Sequence, residues 1–202
     1  MQRIAIFGAS GRTGRSVVTH AVQRGDEVVV LVRDASKQWF PDAVTVRQGL
    51  PSDPRDVEAV LVGADAVVSA LGPIAEETTT EISDSTRTIV NAMERLGPRR
   101  IVIAANAKVL DDSEVTGPYA NVTAEHRRNA EILRASRLDW TILAAPMLTD
   151  DAATGAVVPV VDGKAPGRAV TRGDFAVTLL DAIGTEAWIG HVVGVSNPPV
   201  VR

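Results

Sequence analysis

Residues 4–14 read Ile-Ala-Ile-Phe-Gly-Ala-Ser-Gly-Arg-Thr-Gly. An apolar run ends in Gly8, Gly11 and Gly14, and the amphipathic stretch Val17, Val18, Ala21, Val22 follows. The order is strand, tight turn, helix. Gly8 permits the turn, Gly11 removes a side chain from its concave side, and Gly14 lets the helix pack close to the strand. Such a turn aims backbone N–H groups and the positive end of a helix at one point, which suits a pyrophosphate. A second strand at Glu27–Arg33 completes the context that the motif requires, so the turn predicts dinucleotide binding. The alternative is a Gly-rich βα turn with no ligand.

The rest of the chain repeats this alternation. Strands are expected at 3–7, 27–33, 44–48, 66–70, 100–105 and 140–143, and helices at 13–23, 54–62, 78–96, 121–136 and 173–183. Val28-Val29-Val30-Leu31-Val32, Ala66-Val67-Val68 and Ile101-Val102-Ile103-Ala104 are continuous apolar runs. Strands buried on both faces of a parallel sheet look like this. Asp53-Pro54 reads as an N-cap followed by proline at the first helical position. Gly25, Gly63, Gly97 and Gly184 stand where helices should stop. The pattern predicts an α/β fold, a doubly wound parallel sheet in the order 3-2-1-4-5-6 with a further edge strand. After Ile142 it loosens. Ala145-Pro146 opens an irregular stretch, and 155–172 reads as a small hairpin-like excursion around Asp162-Gly163. A helix at 173–183 and a strand at 191–195 close the domain, and the tail Asn197-Pro198-Pro199 has no clear element. No linker divides the chain, so residues 1–202 are read as one domain with a small C-terminal excursion on the substrate side.

Composition narrows the function. Of 202 residues 45% are hydrophobic, which suits one buried α/β core. Only 3% are aromatic, so Val, Ala, Leu and Ile must fill it. The net charge is −4 with no long basic run, which argues against a nucleic-acid partner. There is no cysteine, which excludes disulfides, thiolate catalysis and cysteine-ligated zinc. Asp111-Asp112 has no histidine or third carboxylate at useful spacing, so no metal site is expected. No apolar run approaches the ~20 residues of a membrane span. The N-terminus leads straight into a core strand, with no visible signal peptide. A cytoplasmic monomer or small homo-oligomer is the expectation.

Further motifs join the glycine turn: Val32-Arg33-Asp34, Asp65-Ala66-Val67-Val68-Ser69-Ala70-Leu71-Gly72, Ala130-Glu131-Ile132-Leu133-Arg134-Ala135-Ser136, and Asp139-Trp140-Thr141-Ile142-Leu143 followed by Pro146. Together, from Ile4 to about Ile183, they resemble the atypical short-chain dehydrogenases, the NmrA-like NAD(P)H-binding proteins. The resemblance is strongest to the biliverdin reductase B type, also called flavin reductase. It implies a Rossmann fold and a nicotinamide dinucleotide. The family includes NADPH-dependent reductases, epimerase-like enzymes and non-catalytic redox sensors, so the resemblance leaves the substrate open.

An acidic side chain at the tip of strand two hydrogen-bonds a ribose 2′-hydroxyl and favours NAD, whereas an arginine there pairs with a 2′-phosphate. Arg33 stands at the tip ahead of Asp34, and Arg12 lies in the glycine turn. Two guanidiniums can clamp a phosphate, although Arg12 alone also reads as a solvated helix-start residue. In the resembled family the matching arginine after strand two contacts the 2′-phosphate. Asp34 reads as the cap of the next helical turn. NADP(H) is therefore the expected cofactor. Gly8, Ser10, Gly11, Arg12, Thr13, Gly14 and Arg33 are its expected ligands, with the Ser10 and Thr13 hydroxyls donating to phosphate oxygens. The resemblance adds Ala70, Leu71 and Gly72, which pass the cofactor's middle, and Pro146. Where relatives commonly have Gly-Asp near the adenine, this chain has Gly49-Leu50, which removes that carboxylate. Trp39 and Phe40 either cover the adenine edge or pack the loop.

Typical short-chain dehydrogenases use a serine and a Tyr-x-x-x-Lys pair, in which lysine lowers the tyrosine pKa. The sole tyrosine here is Tyr119, and four residues on is Thr123. Arg127 is the better helical match to the lysine, and four residues before it is again Thr123. The dyad is absent. In the reductase type resembled, a serine after strand five lines the pocket, matched here by Asn106. A histidine after the strand-six proline falls here on Met147. Both departures count against a tetrapyrrole substrate. Neither excludes flavin or quinone, because hydride transfer is cofactor chemistry that the protein mainly orients. Asn106 and Tyr119 are the candidate catalytic-site residues, as groups that orient the acceptor. His126 reads as a polar helix-surface residue, Lys108 as a solvated lysine and Trp140 as core. Two functions stay open. One is an NADPH-dependent oxidoreductase passing hydride to a flavin, quinone or related small-molecule acceptor held between loops 72–80, 106–120 and 145–156. The other is a non-catalytic NADP(H)-sensing protein, favoured by the missing dyad. An epimerase using NAD(P) without net redox is weakened by the same gap.

Overall fold

The computed structural model describes residues 1–37, 40–72, 79–111 and 113–199. In chain order the elements are β1 (Arg3–Phe7), α1 (Arg12–Gln23), β2 (Glu27–Val32), β3 (Val44–Gln48), α2 (Pro54–Leu61), β4 (Ala66–Ser69), α3 (Glu81–Leu96), β5 (Arg100–Asn106), α4 (Ala120–Arg134), β6 (Asp139–Ala145), β7 (Leu148–Thr149), β8 (Val158–Val161), β9 (Val170–Thr171), α5 (Arg172–Ile183) and β10 (His191–Ser196). The main sheet has the order β3-β2-β1-β4-β5-β6-β10-β8. Its pairings are parallel except the last, β10 with β8. The doubly wound order 3-2-1-4-5-6 expected from the alternation is present.

Alternation along each strand feeds two cores. Ile4, Ile6, Val28 and Val30 face one, with Val17, Val18 and Ala21 of α1 and Phe175 and Leu179 of α5. Ala5, Phe7, Val29 and Leu31 face the other, with α2, α3 and α4. Continuous apolar strands thus supply both layers, as parallel strands must. Trp140 is buried, as its place on β6 predicts. Asp53 caps α2 by accepting the Arg55 N–H at 2.8 Å. Arg100 at the start of β5 closes α5 instead: its guanidinium donates to the Ile183 carbonyl at 3.0 Å and to the Ala182 carbonyl. Burial pulls its pKa down to about 10 against the pull of Asp139, so it stays charged at neutral pH.

The excursion at 155–172 differs from expectation. Its strands do not pair with each other. Val158–Val161 adds antiparallel to the open edge of β10, with Val193 opposite Val161 and Ser196 opposite Val158. Asp162 then turns the chain in the left-handed region at φ 51°. Val170–Thr171 pairs in parallel with Leu148–Thr149 as a separate small sheet. The unpaired edge of β10 offers backbone hydrogen bonds that a local hairpin would forgo. The tail beyond β10 is tied down by Asn197, whose side-chain oxygen accepts the Thr171 N–H at 2.7 Å.

Candidate functional site

The glycine turn lies at the C-terminal end of β1, beside the point where the strand order reverses, and such crevices take ligands in doubly wound sheets. Gly8 is left-handed at φ 77°, and any Cβ there would stand 2.6 Å from the Ala70 carbonyl. A Cβ on Gly14 would collide with the Gly8 carbonyl. Both glycines therefore set how closely β1, α1 and the end of β4 approach. The Gly11 N–H bonds the Gly8 carbonyl at 3.0 Å, which closes the turn. Among the described residues no side chain caps α1, and its first turn holds no acidic residue. Its first N–H groups therefore point at the cleft available to an anion.

A cavity of about 140 Å³ opens on this turn. Gly8, Ser10 and Gly11 form one side, Val32 and Arg33 line it where the chain leaves β2, and Ala70, Leu71 and Gly72 where it leaves β4. The structure thus brings these expected ligands together. It adds Glu81, Ile82 and Ser85 from the first turns of α3. No motif marks this wall in the sequence, although a helix following β4 must start beside β1. Arg33 is more than half exposed, and its guanidinium lies 3.8 Å from the Glu81 carboxylate. Asp34 accepts the Ser36 N–H at 3.0 Å and the Ser36 hydroxyl at 2.6 Å, the capping role expected of it. Those bonds and Lys37 hold its carboxyl below the usual range. Phe40 packs on the core, and Trp39 lies outside the described residues. The Leu50 N–H bonds the Asp56 carboxylate at 2.9 Å.

Arg12 and Thr13 are not among the residues lining this cavity. Arg12 pairs with Asp150 at 2.9 Å, just past β7. Arg172, the first residue of α5, donates to the Thr13 hydroxyl at 3.0 Å and pairs with the other oxygen of Asp150 at 2.7 Å. Arg12 and Arg33 therefore engage different partners. Pro146 is exposed at the end of β6, and the neighbouring Met147 is exposed too.

On the acceptor side, the Asn106 amide makes two hydrogen bonds within the chain. Its oxygen accepts the Lys108 N–H at 3.2 Å, and its NH₂ donates to the Thr123 hydroxyl at 3.0 Å. Tyr119 is 71% exposed. Arg127 donates to the carbonyls of Asp111 and Ser113 at 2.9 and 2.8 Å, so it braces the loop after β5. Asp111 gathers Lys164, Ser113 and Lys108, and the hydrogen bond from Lys164 is the main reason that its carboxyl ionises far below its usual range. Lys108 is exposed, as expected of a solvated lysine.

His126 corrects the sequence reading. It is buried rather than on the surface, and its Nδ1 has no hydrogen-bond partner among the described residues. Burial pushes its pKa down to about 4 against the pull of Glu125, so it is neutral at pH 7. The face of α4 that carries it turns inward with Ala130 and Leu133.

The neighbouring Glu125 is fully buried and caps the start of α3 from outside that helix. One oxygen accepts the Ile82 and Ser83 N–H groups at 2.7 and 3.1 Å, and the other accepts the Ser83 hydroxyl at 2.7 Å and the Arg128 guanidinium at 2.6 Å. Asn121 accepts the Thr79 N–H at 3.1 Å, and Arg128 donates to the Thr79 carbonyl at 2.9 Å. Desolvation raises the Glu125 pKa, but these bonds outweigh it and the carboxyl stays ionised. The spacing Asn121, Glu125, Arg128 on one helical face was the available signal.

Residues 8–186 match the model of a family described as NAD(P)H-binding. The chain belongs to this NAD(P)H-binding family. Solved structures share the fold. A short-chain dehydrogenase/reductase of the wide type from Veillonella parvula, in complex with NADP, superposes with a TM-score of 0.81 at 20% identity, over 98% of this chain and 95% of that one. ChuY, an anaerobillin reductase from Escherichia coli O157:H7, gives 0.82 at 22% identity over 99% of each chain. A Streptococcus pneumoniae protein assigned as an NADH-flavin reductase gives 0.83 at 20% identity, over 98% of this chain and all of that one. At these identities the likeness is one of fold. The glycine turn, the uncapped N-terminus of α1 and the guanidinium in the cleft fit the NAD(P)H of this family. Among the described residues no helix is long and apolar enough to cross a membrane.

Proposed function

We propose that this family member is an NADPH-dependent reductase that passes hydride to a flavin, quinone or related conjugated acceptor. The observation that carries the cofactor half is the cleft in which Arg33 stands beside the Gly8–Gly11 turn. Gly8, Ser10, Gly11 and Gly14 hold the dinucleotide phosphates, and Arg33 favours NADP by pairing with a 2′-phosphate. Ala70, Leu71 and Gly72 carry the backbone past its middle, and Pro146 borders the acceptor side. When bound, the dinucleotide supplies the hydride. The chain's own residues hold and orient. Asn106 fixes the loop after β5 through Thr123 and Lys108, and exposed Tyr119 offers a ring and a hydroxyl to the acceptor. The protonation that follows hydride transfer comes from solvent. The flavin-reductase assignment of one fold neighbour supports an acceptor of this class.

A second reading has its own support. Arg127, at the position nearest the missing lysine, is spent on loop carbonyls, and the Asn106 amide is held by Thr123 and Lys108. A protein that binds NADP(H) and signals through a partner needs no more than that. Consumption of NADPH and of NADH by the purified protein, against FMN, FAD, quinones and a tetrapyrrole, separates the two. Saturable turnover that prefers NADPH supports the reductase. Tight NADPH binding with no turnover on the whole panel overturns it in favour of the sensor.

A further inference from the structure

Two guanidiniums converge on one carboxylate at the edge of the glycine turn. Arg172 is nearly buried, with its side chain 11% exposed, and it is fixed by three contacts: the Thr13 hydroxyl at 3.0 Å, the Leu148 carbonyl at 3.5 Å and Asp150 at 2.7 Å. Arg12 leaves the first turn of α1 with its side chain 77% exposed and meets the second oxygen of Asp150 at 2.9 Å. The Asp150 side chain is 60% exposed. It is thus a solvent-accessible anion seated between two cations, one rigid and one free to swing. Both arginines hold its carboxyl below the usual range, Arg172 most of all. Such exposed pairs are weak and exchange readily. A guanidinium pair is also the geometry that phosphate oxygens prefer.

We propose that Arg12 and Arg172 form an oxyanion site for a phosphate-type group of a bound ligand, and that Asp150 is the internal carboxylate which that group displaces. The proposal rests on the cofactor reading above but adds Arg172 and Asp150, from outside the glycine turn, to Arg12 within it. Two sources share the chemistry: the pyrophosphate of the dinucleotide, and a phosphate arm on the acceptor. A ligand group without charge gains nothing from the exchange, so Asp150 makes the site selective for anions.

The test measures binding of inorganic pyrophosphate and of NADPH to the full chain by calorimetry. FMN and riboflavin are then titrated onto the protein with and without NADP. Asp150→Asn removes the competing charge and keeps the size. It is expected to tighten pyrophosphate by about three- to tenfold, the scale of two exposed ion pairs. Adding Arg12→Gln should cancel the gain. If NADPH shares the gain, the dinucleotide is the source. If FMN shares it and riboflavin does not, the acceptor's phosphate is the source. Unchanged or weaker pyrophosphate binding in Asp150→Asn overturns the proposal, and so does a gain confined to pyrophosphate, which marks an adventitious ion only. A wild-type protein that binds no NADPH refutes the cofactor reading instead, and the pyrophosphate and FMN arms still judge this one.

Discussion

Single residues set the chemistry of the cleft. Arg33 lies 3.8 Å from Glu81, so its charge is already partly answered before any ligand arrives. A 2′-phosphate brings two negative charges to the same guanidinium and outcompetes one exposed carboxylate. Arg33→Glu reverses that preference by placing a second carboxylate beside Glu81. NADPH affinity should fall by about 100-fold while NADH affinity changes by less than about threefold, a gap built on like-charge repulsion. Parallel titrations of the two cofactors check it, and equal losses would sink the NADP assignment. His126 shows the opposite case, a residue whose type says little and whose burial says much. An imidazole on an amphipathic helix is legible as surface or core only once its partners across the helix are known.

At the scale of elements, α4 decides where α3 begins. Thr80, which precedes α3, gives it no side-chain cap, and the orphan N–H groups of Ile82 and Ser83 are satisfied by Glu125. The same first turns wall the cofactor cleft with Glu81, Ile82 and Ser85. Glu125→Gln turns one acceptor into a donor facing other donors and strips Arg128 of its counter-charge. A loss of about 2–3 kcal/mol is expected from so buried a group. NADPH binding should weaken several-fold as the wall loosens. Urea unfolding and NADPH titration of the variant measure both. Lowered stability with unchanged affinity would confine Glu125 to a purely structural role. The loop before α5 is held by the same logic. Asp174 is buried and accepts the Thr154 and Gly155 N–H groups at 3.0 and 2.9 Å, together with the Thr171 hydroxyl at 2.8 Å. Burial raises its pKa, but these bonds win and bring it down to about 2.

For the whole molecule, His126 and Asp174 shape acid stability. His126 has a folded pKa of about 4 against an ordinary 6.5. Between those values the unfolded chain binds more protons than the folded one, so stability falls as pH drops from about 6.5 towards 4. Asp174 is depressed from 3.8 to about 2, so its contribution is present above pH 3.8 and is lost as pH falls to 2. Acid unfolding should therefore proceed in two windows, with His126 acting first. His126→Leu removes the proton-linked part and should flatten the decline in the urea midpoint between pH 7 and 5. A slope as steep as that of the wild type would show that another group carries it.

Much of this molecule is written locally. Continuous apolar runs specify strands buried on both faces, and the strand–helix alternation specifies a doubly wound parallel sheet, because parallel neighbours need crossovers of one hand. Asp53-Pro54 starts α2, and Gly8, Gly11 and Gly14 place the turn, since backbone sterics act between near neighbours. The sequence by itself therefore determined the doubly wound fold and the glycine turn on which the cleft opens. Only the tertiary structure decided the rest. Arg172 meets Thr13 across 159 positions, and Glu125 meets Ile82 across 43. The strand Val158–Val161 joined the edge of β10 in place of a local hairpin. Contacts between side chains so far apart carry no periodicity. They follow from which elements the sheet order sets side by side, and long charged side chains then find whichever buried polar group lies within reach.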